Sequence, residues 1–354
     1  MNINTGMKKV SIAGSGIAGM SAAIYLSKKG IPVIIYEKRS KPGKSRHGDY
    51  EGLENWIFDE STPLFFKNIG FDYNQIKSYP VDNFMVHTAG KDPLSVKSEK
   101  PFFYLVKRGD KKNDFDNQLY QQCNEAGVEF KLNTVAPDKC DIIATGSRKA
   151  SAYVYGSSFR TTQKNQVHLL LGHEFSPKGY AYLIIYNGYG TIATAFKKEK
   201  NVKSNYLNNC KKYFRKLDID IFNEQDFGSR GSFAFSSSRI SLPLQIGEAG
   251  GFQDYLFGFG MKMSMISGLV AGMYLDGEKS NAKALLKEIN KKRRISFLNR
   301  ILYERLSDEN MYYLAQKFSF SDNPLFILKE AYKWDFKAMV RWFNIKKRYE
   351  IRPT

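Results

Sequence analysis

Three glycines near the start of the chain have the spacing that a nucleotide pyrophosphate requires. They are Gly14, Gly16 and Gly19, the glycines of a Gly-Ser-Gly-Ile-Ala-Gly run. Gly14 permits a tight turn, Gly16 allows the backbone to approach a pyrophosphate, and Gly19 allows a helix to pack closely on a strand. The free N–H groups at the start of that helix, at Ile17 and Ala18, would then face the phosphates.

The elements around these glycines follow the order of a dinucleotide-binding unit. Residues 8–13 predict a short buried strand, and the small residues from Ile17 to Lys29 predict a helix that Gly30 ends. Residues 32–36 predict a second strand, which finishes at Glu37. The Glu37 carboxylate would accept hydrogen bonds from an adenosine ribose and would repel the 2′-phosphate of NADP. The first forty residues therefore predict a site for a dinucleotide that has no 2′-phosphate on its adenosine ribose.

Later segments place glycines, acids and basic residues in a recurring order. They are Glu37-Lys38 with Lys41-Pro42-Gly43; Lys107-Arg108 leading to Phe115–Leu119 and Glu125–Val128; Asp141–Ser151; and Ile246–Phe252 with Gly258-Phe259-Gly260 and Ser267-Gly268. In this order they resemble the motifs of the flavoprotein superfamily that contains p-hydroxybenzoate hydroxylase and geranylgeranyl reductase. The resemblance extends over residues 8–280. It implies that the dinucleotide is FAD and that NAD(P)H or another donor supplies the electrons.

The resemblance also implies which residues contact the cofactor. Arg108 would touch the flavin or its phosphates, and Glu248, in place of the usual aspartate, would bond a ribityl hydroxyl. The helix predicted at 260–275 would direct its start toward the cofactor. With the glycine run and Glu37, the remaining expected contacts are Lys38, Arg46, His47, Gly146, Gly247, Gly258, Phe259, Gly260 and Met261.

The fold class expected from these features is α/β. A Rossmann-like FAD-binding domain (1–80, 105–150 and 240–280) would interleave with a substrate-binding antiparallel sheet (81–104 and 151–239), followed by a basic helical region (281–354). The second domain is expected because its strands alternate aromatic and polar residues and are separated by Gly and Asn turns. One face of that sheet would line a substrate cavity above the flavin.

Three residues are candidates for catalysis. His47 follows the cofactor loop and would act as a general acid while the flavin delivers hydride, although a plain surface histidine and a covalent link to FAD are the alternatives. Tyr180 and Tyr182 match an aromatic strand of the reductases and would line the cavity wall. The histidines His87, His168 and His173 have no neighbours at metal-ligand spacing, so no metal site is expected.

Charge and composition restrict the partners. The chain has 54 Lys and Arg against 35 Asp and Glu, a formal charge of +19. No nucleic-acid motif accompanies this charge, so no nucleic-acid partner is expected.

The basic helical region at 281–354 packs on the FAD domain or lies on an anionic membrane, where Trp342 and Phe343 would insert beside Lys346, Lys347 and Arg348. Three separated cysteines and the absence of a long apolar run predict a cytoplasmic protein, peripheral on the membrane in the second case.

Two functional classes remain open from the sequence. The first is an FAD-dependent oxidoreductase that reduces an apolar substrate such as a prenyl lipid. The second is an FAD-dependent monooxygenase or halogenase of a small aromatic compound. Thr145 stands where the monooxygenases have aspartate, which favours reduction, whereas Arg46-His47-Gly48 replaces the Cys-Gly of the reductases. The sequence does not determine the oligomeric state.

Overall fold

The computed structural model describes residues 8–146, 152–197, 205–231, 235 and 240–348. Residues 147–151 of the predicted third motif, and the side chain of Arg348, lie outside the described part of the chain.

The strands and helices are numbered along the chain. The strands are β1 (Val10–Ala13), β2 (Val33–Tyr36), β3 (Tyr50–Glu54), β4 (Tyr79–Val81), β5 (Asn83–Thr88), β6 (Leu94–Lys97), β7 (Phe103–Lys107), β8 (Glu129–Lys131), β9 (Ile142–Ile143), β10 (Ala152–Arg160), β11 (Gln166–Leu171), β12 (Tyr180–Tyr186), β13 (Tyr189–Lys197), β14 (Phe222–Gly231) and β15 (Leu244–Gln245). The α-helices are α1 (Ile17–Lys28), α2 (Thr62–Ile69), α3 (Phe115–Glu125), α4 (Tyr206–Phe214), α5 (Met261–Leu275), α6 (Lys279–Tyr303), α7 (Asp308–Ser319), α8 (Pro324–Ala331) and α9 (Phe336–Arg348).

The predicted dinucleotide unit is a parallel sheet in the order β15-β9-β1-β2-β8, as far as the described residues show. Ile12 at its centre pairs with Ile35 of β2 on one side and with Ile142 of β9 on the other. The central strands β1 (VSIA) and β2 (VIIY) are mostly apolar, as expected where helices cover both faces of a parallel sheet, whereas the edge strand β8 (EFK) is largely exposed. Gly30, at φ +77°, follows the end of α1 and turns the chain into β2. The Rossmann-like part of the predicted fold class is therefore confirmed.

The second sheet has the order β14-β10-β13-β12-β11-β5-β6 within the described residues. Its neighbours are antiparallel except for β5 and β11, which run parallel, with His168 opposite Met85. The sheet that was expected to be antiparallel thus contains one parallel strand pair, because the β5–β6 hairpin comes from an earlier part of the chain. A smaller sheet, β3-β7-β4, packs on it through Tyr50, Leu105 and Ile184. The proposed domain limits stay a prediction.

Two helices of the first domain approach each other more closely than ordinary side chains allow. A Cβ built on Gly268 of α5 would lie 2.3 Å from the Ala18 carbonyl oxygen of α1 and 2.9 Å from Ser21 Cβ. Helix α5 is almost entirely buried, so its glycines and serines serve close packing on every side. This contact fixes the start of α1 beside the middle of α5.

The C-terminal helices pack on the cofactor half of the chain. Arg293 and Arg300 of α6 are buried, and Trp342 of α9 is 6% exposed. The indole of Trp342 lies 4.9 Å from the Phe235 ring and 6.4 Å from the Phe297 ring, measured between ring centroids. Trp342 therefore packs inside the protein, and its predicted insertion into lipid is wrong. Among the described residues no helix has the length and apolar character needed to cross a bilayer.

The α1–α5 contact gives a test of the packing. We expect Gly268→Ala to lower the free energy of unfolding by about 1–3 kcal/mol, because the added methyl group must push two buried helices apart. Gly231→Ala is the matched control, since a Cβ built on Gly231 meets no atom of the described residues within 4 Å. Thermal unfolding followed by circular dichroism measures both variants. Equal midpoints for the two would contradict the close approach.

Candidate functional site

The first glycine turn leaves a space that the protein itself does not fill. A Cβ on Gly14, at φ +101°, would lie 2.6 Å from the Ala144 carbonyl oxygen, and one on Gly19 would lie 2.2 Å from the Gly14 carbonyl oxygen. A Cβ on Gly16 meets no atom within 4 Å in the part of the chain that the structure describes. Gly16 also precedes the first residue of α1, where free N–H groups and the positive end of the helix dipole favour an anion. The turn therefore fits a pyrophosphate.

Glu37 ends β2 directly beside this turn. Its carboxylate accepts hydrogen bonds from Ser15 N (3.1 Å), Ser15 Oγ (2.6 Å) and Arg39 N (2.9 Å). Carboxylate oxygens have further lone pairs, so these bonds orient Glu37 without preventing contact with a ribose. Lys38, the next predicted cofactor residue, is exposed.

A second glycine turn meets the first turn of α1. Gly247, at φ +59°, donates its N–H to Ser267 Oγ at 2.8 Å, and a Cβ there would lie 3.0 Å from Ala18 Cβ. Glu248 follows and is exposed. The predicted run Gly258, Phe259 and Gly260 leads directly into Met261, the first residue of α5, and Gly146, at φ +76°, belongs to the turn after β9. Gly14 lies against Ala144 and Gly247 lies against Ala18, so the separate sequence motifs meet around the start of α1.

Arg108 lies in a buried cluster of charges. Its Nε and Nη2 donate to the two Asp116 carboxylate oxygens, both at 2.8 Å, and its Nη1 donates to Glu51 Oε2 at 2.5 Å. The neighbouring Gly109 lies so close to Gly43 that a Cβ on Gly43 would be 2.3 Å from the Gly109 carbonyl oxygen. Arg108 therefore fixes the loop after β2 to α3 and β3. Its predicted contact with the flavin stays a prediction.

His47 and Arg46 lie on the outer side of that loop. The exposed His47 ring stacks on Phe227 of β14, with centroids 5.0 Å apart and planes 14° apart. Arg46 Nη1 lies 3.6 Å from Glu51 Oε1. The two residues thus join the cofactor loop to the seven-stranded sheet and to β3.

Asp49 is a buried acid that the sequence interpretation did not select. It is 6% exposed, lies immediately before β3, and its carbonyl oxygen accepts the Arg108 N–H at 2.9 Å. Burial, with the nearby charge of Glu51, raises the pKa of Asp49 to about 6. Burial and then the charge of Asp49 also raise the pKa of Tyr182. Asp49 therefore links the cofactor loop electrostatically to the aromatic strand β12, and only its burial reveals it.

The two predicted tyrosines have different surroundings. Tyr180 donates its hydroxyl hydrogen to the Phe257 carbonyl oxygen at 2.5 Å, so it holds the turn that precedes α5. Its ring centroid is 6.2 Å from that of Tyr182, on the same face of β12. Tyr182 lies two residues further along β12, and Asp49 is among the charges that raise its pKa after burial.

A second group of buried charges lies at the other end of β3. Glu54 is fully buried, and within the described residues neither of its carboxylate oxygens has a hydrogen-bond partner. Burial raises the pKa of Glu54 to about 8, although the charge of Lys262 opposes the shift. Lys262, 1% exposed, lies in the first turn of α5 with Nζ 3.3 Å from Thr62 Oγ1. In the sequence, the signal for this group is Lys262, a single charged residue in a helix whose other residues are uncharged.

The histidines of the second sheet form a buried pair. His87 Nε2 lies 2.8 Å from His168 Nδ1, and His168 Nε2 lies 2.7 Å from Gln166 Oε1. Burial lowers the pKa of both rings, that of His168 to about 4, so both are neutral at pH 7. In the described ranges, no group of three or more His, Cys, Asp or Glu side chains is arranged to hold a metal ion.

Comparison with known proteins supports this arrangement. Residues 12–79 match the family of NAD(P)-binding Rossmann-like domains. A geranylgeranyl bacteriochlorophyll reductase-like protein from Thermoplasma acidophilum has a TM-score of 0.67 at 16% identity, over 97% of this chain and 98% of that one. A flavin-dependent brominase has a TM-score of 0.64 at 16% identity, over 97% and 98% of the two chains. The chain has a flavoprotein fold.

The resemblance seen in the sequence is thereby confirmed at the level of the fold. In sequence, the 1-hydroxycarotenoid 3,4-desaturase of Flavobacterium sp. (strain P99-3) is 37% identical over 83 residues, which make up 20% of this chain. The matched part is 17% of that enzyme's length, so the likeness is confined to a short region.

Gly16 has open space beside it whereas Gly19 is tightly packed, so valine substitutions at the two positions test the cofactor site. We expect Gly16→Val to fold with an unchanged thermal midpoint of the apoprotein but to lose bound FAD, because the side chain enters the space left for the pyrophosphate. Gly19→Val should lose both FAD and stability, since its side chain meets the Gly14 backbone. Flavin absorbance after gel filtration and analysis of the released cofactor measure the loss. Stoichiometric FAD in the Gly16 variant would contradict the assignment.

Proposed function

We propose that this protein is an FAD-dependent oxidoreductase that reduces a carbon–carbon double bond in an apolar, prenyl-lipid-type substrate. The observation that carries the proposal is the position of Asp49. This buried acid, with a pKa of about 6, ends the predicted cofactor loop immediately before β3, and its charge, after burial, raises the pKa of Tyr182 on β12. Such a group is a proton donor close to neutral pH.

The glycine turns perform the binding part of this function. The N–H groups at the start of α1 would hold the pyrophosphate, and Glu37 would accept from the adenosine ribose. The Gly247 turn lies close both to Ala18 of α1 and to Ser264 in the first turn of α5. Bound and reduced, FAD supplies a hydride equivalent. Arg108, through Asp116 and Glu51, keeps the loop that carries Asp49 in one position.

Asp49 completes the chemistry that a hydride alone leaves unfinished. In the proposed reduction, one carbon of the substrate double bond would receive a hydride equivalent from the reduced cofactor and Asp49 would donate its carboxyl proton to the other carbon, so two hydrogens would be added and one two-electron donor consumed. The aspartate left behind recovers its proton from solvent. A buried carboxyl holds its proton more tightly than an exposed one, so part of the Asp49 population carries a proton near pH 6.

Aromatic surroundings support an apolar substrate. Tyr180 and Tyr182 share one face of β12, and Phe103, Phe257 and Phe259 lie around the turn before α5. Two similar proteins are named for isoprenoid compounds: a 1-hydroxycarotenoid 3,4-desaturase and a geranylgeranyl bacteriochlorophyll reductase-like protein. NAD(P)H is our proposal for the electron donor, in line with the resemblance noted in the sequence.

A monooxygenase or halogenase is the second candidate function. Its support is the similarity in fold to a flavin-dependent brominase. Thr145 weighs against it, because this exposed residue occupies the turn after β9 where the monooxygenases have an aspartate.

Product analysis separates the two functions. Reduced, FAD-loaded protein mixed anaerobically with a geranylgeranyl lipid should yield a product heavier by two hydrogens, as measured by mass spectrometry. In air the same product should form, without incorporation of labelled oxygen. A product containing an added oxygen or halogen atom would instead establish the second candidate.

Asp49 gives a direct test of the proton donor. Asp49→Asn should retain FAD but reduce the substrate about 10²- to 10⁴-fold more slowly, because the amide cannot donate a proton. The wild-type rate should fall as pH rises through about 6, and this dependence should vanish in the variant. His47→Gln is the comparison: loss of activity there, with Asp49→Asn active, would transfer the role to His47.

The same variant has a stability readout that is independent of activity. Since the folded-state pKa of Asp49 is raised from 3.8 to about 6, the folded protein binds this proton more tightly than the unfolded chain does. Stability from this group is therefore present below pH 4 and is lost as pH rises toward 6. Asp49→Asn should be at least as stable as wild type at pH 7, and a lower thermal midpoint would show that Asp49 serves the fold instead.

A further inference from the structure

Helix α9 has apolar residues on two opposite faces. Ala338 and Trp342 are buried against the protein, and Ile345 is partly buried on the same face. The other face carries large apolar side chains in solvent, at a spacing of three and four residues. They are Phe336 (73% exposed), Met339 (37%), Val340 (44%) and Phe343 (62%), which we call the outer stripe of α9.

This spacing places the outer stripe along one side of the helix. Residues i, i+3, i+4 and i+7 lie on one face because the helix turns about 100° per residue. Single exposed apolar residues are ordinary, but four on one face, including two phenylalanines, form a continuous apolar surface. Elsewhere in the C-terminal helical region, Phe326 of α8 (55% exposed) and Phe320, which follows α7 (75%), are also in solvent. Such a surface is typical of an interface.

Positive charge surrounds the outer stripe. Lys337 and Lys346 lie on its two sides, and Lys347 follows Phe343 by one turn; all three are exposed. The sequence of α9, FKAMVRWFNIKKR, contains no acidic residue. Asp335 precedes the helix and accepts the Ala338 N–H at 2.7 Å, so it caps the first turn. An apolar stripe flanked by lysines complements a surface that is apolar inside and anionic at its edge.

We infer that the outer stripe of α9 docks on the surface of a membrane that contains anionic lipid. Phe336 and Phe343 enter the headgroup region, while Lys337, Lys346 and Lys347 meet lipid phosphates. Trp342 takes no part, because it is fixed inside the protein. This inference is independent of the proposed reduction, which concerns residues of other elements.

Flotation of the full-length protein with vesicles tests the docking. The vesicles are of phosphatidylcholine alone or of equal parts phosphatidylcholine and phosphatidylglycerol. Wild type should float with the anionic vesicles at low salt and stay soluble with the neutral ones. Binding should decrease steeply as salt rises, because charges are screened within about 8 Å at physiological ionic strength.

Paired variants identify the surface. Phe336→Ser with Phe343→Ser, and separately Lys346→Glu with Lys347→Glu, should each reduce bound protein at least about tenfold. The controls change equally exposed residues elsewhere: Val135→Ser with Leu242→Ser (83% and 64% exposed), and Lys139→Glu with Lys164→Glu. All four should keep the wild-type thermal midpoint and flavin content, since the changed side chains are in solvent.

Three outcomes would overturn the inference. Wild type that stays soluble with anionic vesicles at low salt would leave the outer stripe as an interface for another protein. Flotation unchanged in both test pairs would place the contact on a different surface. An equal loss in the lysine controls would show attraction by net charge alone.

Discussion

The structure depends on a close approach of backbones around the start of α1. Gly14 touches the chain after β9, Gly19 lies against Gly14, and Gly268 brings α5 against Ala18. None of these contacts leaves space for a side chain, so the positions of α1, α5 and the strand ends are fixed together. The one glycine of the turn with open space is Gly16. Tight packing of the surrounding elements fixes the N–H groups at the start of α1 beside this space, which suits an anion.

Buried charge is used in two different ways on β3. At one end, Arg108 is satisfied by Asp116 and Glu51, so its charge orients a loop and has little freedom to take part in chemistry. At the other end, Glu54 has no hydrogen-bond partner in the described chain and has a raised pKa. Asp49, immediately before β3, lies between these two cases: it is buried, and its pKa is raised to about 6. Perturbed acids of this kind cluster at functional sites, which supports placing chemistry along this strand.

The C-terminal helices are part of the site's framework. Arg300 of α6 donates to the carbonyl oxygens of Leu256, before α5, and Lys178, before β12. Tyr303 donates to the Gly179 carbonyl oxygen at 2.7 Å. Helix α6 thus joins the cofactor half of the chain to the aromatic strand. Because α9 packs on this helix through Trp342, a membrane surface at its outer stripe would be connected to the site through rigid elements.

The sequence by itself determined the dinucleotide unit, because the turn, helix, strand and terminal acid occupy about thirty consecutive residues and their geometry is local. It also indicated the flavoprotein fold through motifs in order. It did not determine which charges are paired or buried. Arg108, Asp49 and Trp342 each depend on segments distant along the chain, and burial is a property of that packing. Only the tertiary structure therefore decided that Arg108 is held by carboxylates, that Asp49 is a buried acid, and that Phe343, and not Trp342, faces outward.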